Sequence, residues 1–131
     1  MKYVVIVGCG QTGRNLALEL SSSHNVVVID KEKEVLDELG ESFNGKTVVG
    51  DALNVEVLES AGIQDADALI LLTGNDNFNL VIGKVARKKY GVEKVVLQVY
   101  EVKKKKLFSE EGLIIVNRTY LLVEVFKKCI L

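Results

Sequence analysis

Proline is absent from the 131 residues, and no Gly/Ser-rich linker or low-complexity tract divides them, so nothing marks a boundary between two domains. Cysteine is scarce. Cys9 and Cys129 stand at opposite ends of the sequence, no Cys/His spacing resembles a metal site, and reduced thiols in a cytosolic setting are expected. Neither sign of charge dominates: 17 basic residues face 18 acidic ones for a net charge of −1, without the electrostatic footprint that nucleic-acid binding needs. Long hydrophobic runs are missing too. Tyr3 to Val7 and Ala68 to Leu72 fall far short of the roughly 20 residues that cross a bilayer. Met1-Lys2 leads straight into a strand pattern, without a signal peptide's separate apolar core and cleavage site. The expectation is a soluble cytoplasmic chain that binds no metal or nucleic acid and does not insert into a membrane.

What the chain has is apolar material, 48% of its residues, enough for one core. Short β-branched runs recur at Tyr3 to Val7, Val26 to Ile29, Thr47 to Val49, Ala68 to Leu72, Val95 to Val99 and Leu113 to Val116. Segments with helical spacing separate them, at about 13–23, 32–40, 54–61, 77–90 and 101–111, with a last one from 119 to the end. Nearly all-apolar strands linked by helices pack as a parallel sheet covered on both faces. The alternation therefore predicts an α/β, Rossmann-like doubly wound sheet of six strands in the order 3-2-1-4-5-6, one domain spanning 1–131.

The first strand runs into Gly8-Cys9-Gly10-Gln11-Thr12-Gly13, a G-x-G-x-x-G pattern placed between a strand and a helix that buries Leu16, Ala17 and Leu20. In that setting the glycines give a tight turn, close backbone approach to a pyrophosphate and close helix packing, and the helix N-terminus faces the phosphates. A Gly-rich turn without a ligand is the bland alternative. Cys9 could be redox-active, but no base or second cysteine stands near it in the pattern, which favours a small side chain packed beneath the turn.

The second strand ends in Val28-Ile29-Asp30, 17 residues after Gly13, where a carboxylate accepts hydrogen bonds from ribose hydroxyls and repels a 2′-phosphate. That favours NAD or an adenosine nucleotide over NADP. Lys31 follows, weakening the exclusion a little or serving as an exposed first-turn charge. Asp30 could equally cap the next helix, which Glu32, Lys33 and Glu34 open. Asp51 and Ala52, after the third strand, are placed to border adenine, with Asp51 alternatively capping the third helix. After the fourth strand, Thr73, Gly74, Asn75 and Asn79 belong to a polar stretch that should line the phosphate crevice, although Asp76 and the asparagines could instead cap the fourth helix. No Tyr-x-x-x-Lys pair, no Ser nucleophile with a base and no catalytic His follows; His24 falls at the opposite end of the sheet and reads as structural or solvated. No catalytic residue is expected. The residues support a nucleotide-binding regulatory module, against an NAD-dependent oxidoreductase or a Rossmann scaffold serving only assembly.

Taken together, these motifs resemble the RCK, KTN or TrkA-N domains of regulators of potassium conductance. The likeness rests on Val5-Ile6-Val7-Gly8-Cys9-Gly10 with Gly13, Val28-Ile29-Asp30, Val48-Val49-Gly50-Asp51-Ala52, Leu58-Glu59-Ser60-Ala61-Gly62-Ile63 with Ala66-Asp67-Ala68, and Thr73 with Asp76 and Asn79. It implies a cytoplasmic regulatory subunit of a membrane potassium channel or transporter, peripherally associated with the membrane. Such a subunit binds NAD(H), ATP, ADP or AMP and gates ion flux through a homo-oligomeric ring. Two departures stand out: Gln98 where the family usually has Arg, and Arg118-Thr119 where it commonly has Pro-Glu. In the family that arginine helps organise the nucleotide side of the cleft, so the resemblance here implies an AMP or ADP moiety more firmly than a whole NAD. The chain ends at Leu131 without the family's usual C-terminal domain, leaving a fragment and a stand-alone subunit both open.

Two segments remain. Lys103 to Lys106 reads as a solvated helix face, with an acidic-lipid patch as the sharper alternative. In 119–131, Leu122, Val125, Phe126 and Cys129 make an apolar stripe while Leu121, Ile130 and Leu131 lie outside it, so this helix is expected to pack partly on another subunit. The alternative is an element cut inside a longer one.

Overall fold

The computed structural model describes residues 1–101 and 111–131. Six parallel strands, β1 (Tyr3–Val7), β2 (Asn25–Asp30), β3 (Lys46–Val49), β4 (Ala68–Leu71), β5 (Lys94–Val99) and β6 (Ile114–Asn117), form one sheet in the order β3-β2-β1-β4-β5-β6. This is the doubly wound order expected from the sequence. The central strands are apolar on both sides because both sides are covered. Val5 and Val7 join the core beneath α3 (Val55–Ser60) and α4 (Asp76–Tyr90), while Val4 and Ile6 join the one beneath α1 (Gln11–Leu20) and α2 (Lys33–Asp37).

β1 pairs with β2 on one side and β4 on the other, in register from Val5 to Val27 and to Leu69. The chain therefore leaves β1 toward one half of the sheet and returns to start the other half at β4. The crevice of an open α/β sheet opens at that reversal, outside the carboxyl ends of the strands. Those ends deliver Gly8, Asp30, Gly50 and Leu72 to one edge.

Several boundaries differ from the sequence expectation. α1 starts at Gln11, two residues early, because the glycine loop is short enough for Gly10 to serve as its N-cap. α2 covers only 33–37, since Gly40 turns the chain at φ +72°. A 3-10 turn at Ile63–Asp65 has no periodicity to announce it. The 101–111 helix expectation and Lys103 to Lys106 fall largely or wholly outside the described residues. The last helix, α5 (Arg118–Ile130), buries no residue at all. Tyr120, Leu121, Leu122, Val123, Val125, Phe126, Ile130 and Leu131 are 44% to 96% exposed, so no apolar residue of the predicted stripe is buried on its own sheet, although Leu122 borders a groove beside Ile70, Val96 and Val116. Among the described residues no helix is long and apolar enough to cross a membrane.

Candidate functional site

A cleft of about 400 Å³ lies at the carboxyl edge of β1, β2, β3 and β4. Its first wall is the glycine loop. Gly8 takes φ +106°, a conformation that L side chains rarely adopt, and a Cβ there would press within 3.1 Å of the Leu72 and Thr73 backbone. Its N–H donates to the Ile29 carbonyl at 2.9 Å, fastening the loop across β2. Gly13, inside the first turn of α1, leaves no room for a Cβ against the Gly8 carbonyl oxygen, which is how the helix comes down close on the loop. Gly10 is different. Its backbone is ordinary extended chain, and a Cβ built on it meets nothing within 4 Å. Among the described residues no contact accounts for a glycine at this position. α1 has no side-chain cap and no acidic residue in its first turn, so the positive end of a ten-residue helix stands at the cleft uncompensated.

Cys9 is fully buried, with Sγ 3.7 Å from the Val35 carbonyl oxygen. Burial, with the Asp30 carboxylate as the next cause, pushes its thiol above the ordinary range, which keeps it protonated and unreactive. Its backbone N–H donates to Asp30 Oδ2 at 2.9 Å, while Asp30 Oδ1 accepts from the Glu32 N–H at 3.0 Å. Asp30 thus ties the glycine loop to the start of α2. The helix-cap alternative does not hold: the N-cap is Glu32, and Asp30 instead closes a turn two residues ahead of it. The cap alternative for Asp51 fails likewise. Asn54 caps α3 through Glu56 N–H, and Asp51 Oδ1 accepts from Leu53 N–H at 2.9 Å. Gly50 and Ala52 line the cleft, whereas Asp51 between them stands 3.8 Å from Lys31 Nζ.

Thr73, Gly74 and Asn75 line the opposite wall. Asn75 does cap α4, its Oδ1 accepting from Phe78 N–H at 2.9 Å. Asp76 does not; its carboxylate accepts from the N–H groups of Tyr100 (3.0 and 3.2 Å) and Glu101 (3.1 Å). Asn79 is wholly buried and holds the wall rather than lining it: its Oδ1 accepts from the Thr73 hydroxyl, and its Nδ2 donates to the Thr73 carbonyl at 3.1 Å and the Gln98 carbonyl at 3.0 Å. Of the expected site residues, Gly8, Cys9, Gly10, Asp30, Lys31, Ala52, Thr73, Gly74 and Asn75 share the cleft, with Gln11, Thr12 and Gly13 in the adjoining helix turn. Phe78, within the 73–79 stretch expected to line the crevice, also lines it, as do Glu32, Ile29 and Leu72, which carry no motif that marks them as site residues. His24, at the far end of the sheet, accepts from Lys2 N–H at 2.9 Å through Nδ1. Gln98 and Arg118 border a separate, mostly apolar groove with Thr12, Leu16, Leu121 and Leu122. Among the described residues no group of His, Cys, Asp or Glu is arranged to hold a metal ion.

A doubly wound parallel sheet with a glycine loop and a strand-end acid at its crevice defines a Rossmann-type α/β domain. The TrkA-N domain model matches residues 4–118, and the chain belongs to that family. The Trk system potassium uptake protein TrkA of Streptomyces coelicolor is 35% identical over 112 residues, which are 85% of this chain and 50% of that protein. The chain thus spans about half the length of that relative. Among solved structures, the TrkA-N domain of the Escherichia coli inner membrane protein ybaL superposes with a TM-score of 0.89 at 23% identity, covering 99% of this chain and 97% of that one. The GsuK channel bound to NAD gives 0.78 at 22% over 92% of this chain and 22% of that one. The AMP-bound Kef C-terminal domain of Shewanella denitrificans gives 0.76 at 22% over 98% and 82%. These structural likenesses concern the fold.

Proposed function

We propose that residues 1–131 form the adenine-nucleotide-sensing module of a potassium uptake or channel system. The observation that carries this reading is Gly10, whose missing side chain leaves open space at an uncapped helix N-terminus, the place where a phosphate approaches. The glycine loop with Gln11 and Thr12 would hold phosphates on one side, facing Thr73, Gly74 and Asn75. Asp30 would take the ribose hydroxyls with lone pairs that Cys9 and Glu32 leave free, and its charge disfavours NADP. Ala52 would border adenine, with Asp51 acting through Lys31, and Asn79 would keep the loop in place. Relatives named for potassium uptake, and structures of this fold holding NAD or AMP, support the class of ligand: NAD(H), ATP, ADP or AMP.

The module works by binding, without catalysis. The cleft's thiol is held protonated, so it is not poised as a nucleophile, and two backbone N–H groups orient the Asp30 carboxylate to accept hydrogen bonds from a ligand. Nucleotides with different phosphate tails would favour different crevice widths, and that difference in affinity is what shifts a gating equilibrium. The partner would be a membrane potassium channel or transporter subunit, with the module peripheral to it on the cytoplasmic side and α5 joining copies into a homo-oligomer. Mass analysis of the small molecules released when the purified protein is denatured should find an adenine nucleotide; a retained ligand without an adenosine moiety would contradict the reading.

A further inference from the structure

We propose that Phe78 and Lys31 form a clamp for the purine base, in which the Lys31 ammonium covers the Phe78 ring until a purine replaces it. The inference rests on the reading of the cleft as an adenine-nucleotide site and names the residues that would select the base. Lys31 follows β2 and Phe78 sits in the first turn of α4, so they come from opposite walls, and both line the cleft. Lys31 Nζ lies over the Phe78 ring, 5.0 Å from its centroid, within the range where a cation is held by a ring face. Beneath them Ile29 and Ala52, both buried, form an apolar floor.

The two partners are built unequally. Phe78 is fixed, with its side chain packed against the core and its N–H held by Asn75 Oδ1 at 2.9 Å. Lys31 is less enclosed: its side chain is 61% exposed, and Asp51 Oδ2 stands 3.8 Å away as a second partner for its charge. A ligand can therefore displace the ammonium without stranding it. What can replace a cation on a ring face is a flat π-system, and stacking of a base on an aromatic side chain is the general means by which proteins grip bases without reading their edges. Ribose and phosphate offer no such surface.

Calorimetric titration with AMP and with ribose 5-phosphate separates base from phosphate. Phe78→Ala should weaken AMP on the order of tenfold and leave ribose 5-phosphate unchanged, while Phe78→Trp should keep AMP affinity. In the wild type, the Lys31 methylene resonances shifted by the Phe78 ring should move on saturation with AMP and stay put with ribose 5-phosphate. An AMP affinity unaltered by Phe78→Ala, equal weakening of both ligands, or Lys31 resonances indifferent to AMP would overturn the clamp alone. Failure of the wild type to bind either ligand would overturn the nucleotide reading with it.

Discussion

Gly10→Val should leave the fold intact and weaken adenine-nucleotide binding by a factor on the order of a hundred or more. Gly10 has φ −75° and ψ −166°, extended backbone open to a residue with a side chain, and among the described residues no heavy atom lies within 4 Å of a Cβ placed there. The cost to stability is then that of a poorer N-cap, within about 1 kcal/mol. The ligand meets a branched side chain between its phosphate and the first-turn N–H groups of α1. Hydrogen bonds to a charged group contribute about 1.5–3 kcal/mol each, so losing two of them accounts for the expected factor. A thermal melt beside a calorimetric titration with ADP reads both halves, and an unchanged Kd would contradict the phosphate site. Gly13 is a poorer probe: a side chain there collides with the Gly8 carbonyl, so its replacement reports on packing as well.

Removing the chain after Asn117 should convert an oligomer into a monomer, or into an unstable chain, while the residues of the glycine loop remain. No residue of α5 is buried, and it carries seven exposed large apolar side chains, with Leu131 directly after it as an eighth. Burying such a side chain is worth roughly 1.5–3 kcal/mol, so covering even half of them on a neighbouring copy offsets much of the entropy of association. Asn117 itself is retained because it pairs with Val99 at the end of the sheet. Sedimentation at tens of micromolar checks the prediction. A 131-residue chain that sediments as a monomer there would remove the assembly claim and the simplest route from nucleotide binding to gating.

The fold was readable because the same residues satisfy local and global demands. Tyr3 to Val7 is apolar on both faces, as only a central parallel strand needs to be, and Gly8 follows where the chain must turn. The positions of the glycine loop and the strand-end acid were readable for the same reason, since spacing along the chain fixes which strand end each occupies. Capping was not. Asp30 and Asp51 precede helices by a few residues and Asp76 opens one, and a sequence does not tell whether a carboxylate folds back on its own helix or reaches across the sheet, as Asp76 does to Tyr100 and Asp30 to Cys9. Asn79 illustrates the same limit. Its place after the fourth strand marks it as a site residue, yet the wall it holds depends on the Gln98 carbonyl of a different strand. Phe78 and Lys31 meet across the cleft through tertiary placement alone.

Isothermal calorimetry of the purified chain with AMP, ADP, ATP and NADH tests the central claim most directly. Such a titration records the affinity of an uncapped helix N-terminus, a strand-end carboxylate and an apolar floor that share one cleft. At least one of the four is expected to bind with a Kd tighter than about 1 mM, corresponding to roughly 4 kcal/mol. No binding tighter than millimolar by any of them would contradict it.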